Sequence, residues 1–132
     1  GLSQLTRIQK LIKKRKKNAH FLSLHLKRIP EISVPNEPKD SKHVFQLYSI
    51  KLSNTKLRNN LMNFLKEKGV MTKVYFEPIH TTKFYSKIST KKSNLSNSLK
   101  ISEQILSLPM FPSLTINELQ YIVDSINEFF QQ

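Results

Sequence analysis

The sequence contains no cysteine, which excludes a disulfide, a thiolate nucleophile and a cysteine-ligated zinc or iron-sulfur site. Glycine occurs only at Gly1 and Gly69, too few for a P-loop, a dinucleotide fingerprint or another glycine-rich phosphate cradle. No apolar run approaches the roughly 20 residues that a membrane-spanning helix needs. The N-terminus also lacks a signal-peptide core, so a cytoplasmic protein with no membrane partner is expected. Acidic residues are few, 9 against 22 Lys and Arg, and no two have a spacing that suits general acid/base work. A GxSxG nucleophile motif is missing. Of the histidines, His20, His25, His43 and His80, none falls in a metal-binding spacing, and His20 and His25 are off the i,i+4 geometry that would place them on one helix face. Neither a metal site nor a self-contained catalytic constellation is expected.

What is present is a chain of 132 residues, 38% of them hydrophobic, enough for one domain with a core of its own. Its net charge of +13 is unevenly placed: residues 1–30 carry Lys and Arg but no acid, and residues 101–132 carry acids but no Lys or Arg. The run Lys13-Lys14-Arg15-Lys16-Lys17 could grip a phosphate backbone or form a solvated helix face. It lacks the interleaved aromatics that stack on bases, which favours the solvated face. A basic module for nucleic acid or another polyanion is the alternative reading, as is an interaction domain that pairs with a separate large domain.

Apolar residues Leu5, Ile8, Ile12, Ala19, Leu22, Leu26 and Ile29 recur at helical spacing, with Arg15 filling the one gap. This predicts one long helix over residues 2–29, roughly 42 Å at 1.5 Å per residue, that overhangs a small domain. Arg15 falls on its buried face and needs an acidic or anionic partner there; an ion pair with a buried acid is the expectation. Pro30, Pro35 and Pro38 then make a loop. Residues 43–52 read as a strand. Asn54 caps a helix running to Lys68, with Gly69 as its stop. Residues 70–76 alternate as a second strand, 86–98 read as a polar loop, and 99–106 as a short helix. Thr115 and Glu118 form a capping box for an amphipathic terminal helix. The expected class is α+β: a small sheet of two to four mainly antiparallel strands packed against helices, with a long N-terminal helix.

One segment stands out chemically: residues 69–85 run from a helix stop through a strand into a Pro-stiffened turn with His80, Thr81, Thr82 and two tyrosines. Polar and aromatic side chains at the C-terminal end of a strand commonly contact ligands.

Four stretches, in order, resemble the C-terminal small domain of the DegT/DnrJ/StrS sugar aminotransferases, a family of fold-type I pyridoxal-phosphate enzymes. They are Gly1-Leu2-Ser3-Gln4-Leu5 with Arg15 and Asn18-Ala19; His43 to Ile50; Leu65 to His80 with Gly69, Thr72, Val74, Tyr75 and Pro78; and Leu106 to Thr115 with Glu118 and the terminal helix. The family's common His-Tyr in the strand is Tyr75-Phe76 here.

The resemblance implies residues 1–29 as a domain-bridging helix and 30–132 as the small domain, with nothing resembling the family's large domain or its Schiff-base lysine. It therefore implies a C-terminal domain or fragment that binds no cofactor and is inactive alone. The complete enzyme would use pyridoxal phosphate to pass an amino group from a donor such as glutamate to a keto-sugar nucleotide. Its expected partners are the large pyridoxal-phosphate domain, in the same or a separate chain, the nucleotide sugar and the amino donor. A homodimer is expected when complete, and nucleic acid is not an expected partner. His80 and Tyr75 would be polar contacts to the substrate and Lys73 a partner for a phosphate, with binding and orienting roles only.

Overall fold

The computed structural model describes residues 2–88 and 95–131. The expected N-terminal helix comes in two pieces, α1 (Leu2–Leu5) and α2 (Ile8–Leu26), separated by a turn at Thr6 and Arg7. It ends earlier than the periodicity predicts. Arg28 and Ile29 N–H groups donate three residues back, to His25 and Leu26 carbonyls, because Pro30 cannot continue the helix and restricts the residue before it. Asn18, Ala19, Leu22 and Leu26 are buried, whereas Leu5 is 61% exposed.

The sheet has three antiparallel strands in the order β1 (Ile32–Ser33), β2 (Tyr48–Leu52) and β3 (Ile105–Leu108). Tyr48, Ile50 and Leu52 alternate onto the core face, opposite Leu108, Leu106 and Ile32. Ser49 and Ser107 meet across the same ladder with their hydroxyls 2.6 Å apart. Helix α3 (Thr55–Glu67) packs on β2 and β3, and the terminal helix α6 (Ile116–Gln131) packs on α2 and α3, closing the core with Leu119, Ile122, Val123 and Ile126. Two short helices, α4 (Lys83–Ile88) and α5 (Ser96–Gln104), complete the α+β fold.

Local signals act as expected. Asn54 Oδ1 accepts from Leu57 N–H at 2.9 Å, capping α3. At the other end Gly69 adopts φ +74°, and the N–H groups of Gly69 and Val70 donate to the carbonyls of Lys66 and Leu65, a Schellman closure. Nothing lies within 4 Å of where a Cβ would sit on Gly69, so Gly69→Ala meets only backbone strain. It is expected to cost about 1 kcal/mol, read as a shift in urea midpoint. The capping box forms in both directions: Glu118 Oε2 accepts from Thr115 N–H at 2.7 Å, and Thr115 Oγ1 accepts from Glu118 N–H at 3.2 Å. The Thr115 backbone bond is the main reason the Glu118 carboxyl is held below its usual range, with the Thr115 hydroxyl adding to it.

Non-local pairing departs from the expectations. The strand predicted over 43–52 begins only at Tyr48, because Phe45 takes a left-handed φ of 49°, which no strand can carry through. The turn is held by Phe45 N–H donating to His43 Nδ1 at 2.9 Å. The stretch 70–76 is not a strand: Lys73 alone bridges to Ser107, and Met71 and Phe76 are 81% and 79% exposed. The place of that second strand is taken by β3, which falls partly in the stretch predicted as a helix over 99–106; the helix there is α5, ending at Gln104. Strand β1 carries no alternation long enough to register. The predicted loop over 86–98 includes the end of α4 and the start of α5, and its residues 89–94 lie outside the described residues.

Candidate functional site

The Lys73–Ser107 bridge positions a polar hollow. Lys73 N–H donates to Ser107 carbonyl at 3.0 Å and Ser107 N–H to Lys73 carbonyl at 2.8 Å, which fixes the backbone on either side of residue 73 against the outer edge of β3. Tyr75, two residues on, projects to the same side, and Lys73 Nζ lies 5.6 Å from the centre of its ring. Both residues line a cavity of about 420 Å³ together with Arg15, Gln46, Thr72 and Ser107.

Arg15 reaches the cavity from α2, whose next turn is anchored by Asn18 Nδ2 donating to Phe111 carbonyl at 3.0 Å. The expected ion pair is not made. Among the described residues the ion pairs are Lys16–Glu37 at 2.7 Å and Lys68–Glu128 at 2.6 Å, and Arg15 Nε is buried without an acceptor. The neighbouring lysine of the basic run takes the acid instead: Lys16, helped by His43 N–H, holds the Glu37 carboxyl below its usual range and ties the loop after β1 to α2. An Arg15→Ala variant therefore strands no carboxylate.

His80 is placed differently. It sits in a 3₁₀ turn, Ile79–Thr81, closed by Thr81 N–H to Pro78 carbonyl at 2.9 Å and by Thr81 Oγ1 to Glu77 at 3.1 Å. The imidazole is half-buried, its Nε2 is buried with no partner, and it does not line the cavity of Lys73 and Tyr75. Of the three residues singled out from the sequence, the fold brings Lys73 and Tyr75 together and leaves His80 outside. It adds Arg15, Gln46 and Thr72; for Arg15 the signal was a cation in an apolar stripe, while Gln46 and Thr72 fell within the family-like stretches without being singled out as site residues.

A larger hollow of about 580 Å³ between Val70, Phe111, Leu114 and Tyr121 is mostly apolar and collects few polar groups. No group of His, Asp and Glu among the described residues could hold a metal ion, and no described helix is long and apolar enough to cross a membrane. For pyridoxal phosphate, the donor set of the polar cavity fits only in part. Arg15 and Lys73 suit its phosphate, but no carboxylate lines the cavity to hold the ring nitrogen, and Lys73 lies against Tyr75. The whole group does not fit here.

Comparison with known proteins places the chain. Residues 1–127 match the model of the DegT/DnrJ/EryC1/StrS aminotransferase family. A pleiotropic regulatory protein of Geobacillus stearothermophilus is 34% identical over 120 residues, covering 89% of this chain and 32% of the relative. GDP-perosamine synthase of Escherichia coli O157:H7 is 31% identical over 134 residues, covering 98% of this chain and 34% of the relative. The crystal structure of a DegT DnrJ EryC1 StrS aminotransferase from Brucella abortus superposes with a TM-score of 0.87 at 26% identity, over 99% of this chain and 34% of that one. The chain spans about a third of the length of the relatives it matches. With a family match over nearly its whole length and the same fold in a solved member, the chain belongs to the DegT/DnrJ/EryC1/StrS aminotransferase family.

Proposed function

We propose that this chain acts as the small domain of a pyridoxal-phosphate-dependent aminotransferase whose substrate is a keto-sugar nucleotide. The observation that carries this reading is the family match over residues 1–127. The similarity to a GDP-perosamine synthase supports a nucleotide sugar as the substrate class. The cofactor, with its reactive lysine, belongs in this reading to a large domain in the same or a separate chain. Residues 1–29 bridge to that domain, and 30–132 line and close the substrate site. Lys73 and Tyr75 contribute from the polar cavity, and His80 contributes from its turn, where its half-buried imidazole leaves Nε2 buried and unpartnered.

Two measurements test this. Mixed with pyridoxal phosphate alone, the chain is expected to give no stoichiometric Schiff-base absorption; a band abolished by changing one lysine would refute the placement of the cofactor elsewhere. In the complete enzyme, His80→Ala is expected to lower kcat/KM for the sugar nucleotide by about 10- to 100-fold and to affect the half-reaction with the amino donor much less. Equal losses in both half-reactions, or a loss of folded protein instead, would make His80 a structural residue of the turn.

A further inference from the structure

The cavity shared by Arg15, Lys73 and Tyr75 brings two cations to one place without a counter-charge. Arg15 is half-buried, and its Nε lies buried without an acceptor. No Asp or Glu lines the cavity, and neither ion pair found among the described residues involves Arg15. Lys73 is held nearby by its paired backbone and by the ring of Tyr75, rather than by an acid. A buried N–H with no acceptor carries a desolvation cost that a ligand oxygen would relieve. A guanidinium fork beside an ammonium suits a group with two or three oxygens sharing negative charge.

We propose that this cavity is an oxyanion subsite in which Arg15 and Lys73 together grip a phosphate or carboxylate group. Arg15 is the specifying member, because its planar fork is carried on a packed helix, and Lys73, which lines the same cavity, adds charge. The inference rests on the small-domain reading only for the source of the anion: a nucleotide sugar would bring a diphosphate, an amino donor a carboxylate.

The test is to titrate the 132-residue chain with sodium pyrophosphate and, separately, with sodium glutamate at about 150 mM salt, where long-range attraction is screened. Amide and Arg15 Nε–H resonances are followed by NMR. Saturable binding of at least one of the two is expected, with the Arg15 Nε–H signal moving. Tighter binding of pyrophosphate assigns the subsite to a phosphate, and tighter binding of glutamate assigns it to a carboxylate. Arg15→Gln and Lys73→Gln should each weaken binding about 10-fold or more. Lys14→Gln, on the same basic helix but outside this cavity, should change it less than about 2-fold. Should Arg15→Gln fail to fold, Lys73→Gln decides, since its side chain is exposed. Absence of saturation, or equal losses at Lys14 and Lys73, would overturn the proposal, the latter marking a diffuse polycationic surface. A chain that binds neither anion here, while His80→Ala still impairs the sugar half-reaction, would lose the subsite and keep the aminotransferase reading.

Discussion

Leu22→Ala is expected to lower the stability of the chain by about 3 to 4 kcal/mol, a large share of the 5–15 kcal/mol typical of a domain. Leu22 has no exposed surface and lies on the stripe of α2 that faces the core and α6. Truncating it removes apolar burial and leaves a cavity between two helices that cannot readily collapse. Leu24, two residues along the same helix, is 40% exposed, and Leu24→Ala should cost under about 1 kcal/mol. Urea midpoints at constant slope measure both. Similar losses at the two positions would mean that α2 is rotated from the register described.

The second large effect is a reversal with pH. Tyr48 is buried on β2, and its hydroxyl shares a hydrogen bond of 2.8 Å with Ser23 Oγ. Burial disfavours the phenolate and pushes the Tyr48 hydroxyl up from 10.0 to about 12, against a smaller lowering by Ser23. Above pH 10 the unfolded chain releases this proton while the native chain retains it, so the unfolded state binds fewer protons and stability falls as pH rises. The stabilisation is fully present below pH 10 and is lost as pH passes through about 12. The slope approaches about 1.4 kcal/mol per pH unit and totals about 2 to 3 kcal/mol.

Tyr48→Phe removes the titration together with the Ser23 bond, which should cost about 1 kcal/mol at neutral pH. The wild-type chain is therefore expected to be the more stable at pH 7 and the less stable at pH 12. The two proteins differ only at residue 48, so every other contribution to the pH dependence is common to both and cancels in the difference. Denaturation curves that stay parallel across this range would contradict the burial of the Tyr48 hydroxyl.

The candidate site shows where reading a linear pattern succeeds. Arg15 was legible because a cation interrupts an apolar stripe of period 3.6, and that spacing alone places it against the body of the protein. Lys73 and Tyr75 were legible as neighbours because side chains two apart in extended backbone share a side. Their meeting with Arg15 was not legible, since it depends on the bridge from Lys73 to Ser107, 34 residues away in the chain. The expectation that Arg15 pairs with an acid failed for a similar reason: Glu37 is brought to α2 by the loop after β1, and the path of that loop delivers it to Lys16.

By itself the sequence determined what local chemistry determines. The Asn54 cap, the left-handed Gly69 stop and the Thr115–Glu118 box each satisfy backbone groups within one helical turn, so residues close in the chain suffice to specify them. The resemblance to the aminotransferase family was also carried by the order of short motifs and required no coordinates. Tertiary structure alone decided which extended segments became strands. Alternation over 70–76 states which side chains share a face, but a ladder also needs a partner backbone, and β2 takes β1 and β3 as its neighbours. The segment 70–76 therefore holds only one bridge to the sheet. That bridge gives Lys73 a fixed place in the lining of the cavity that Arg15 also reaches, a juxtaposition set by strand pairing and helix packing over long separations in the chain.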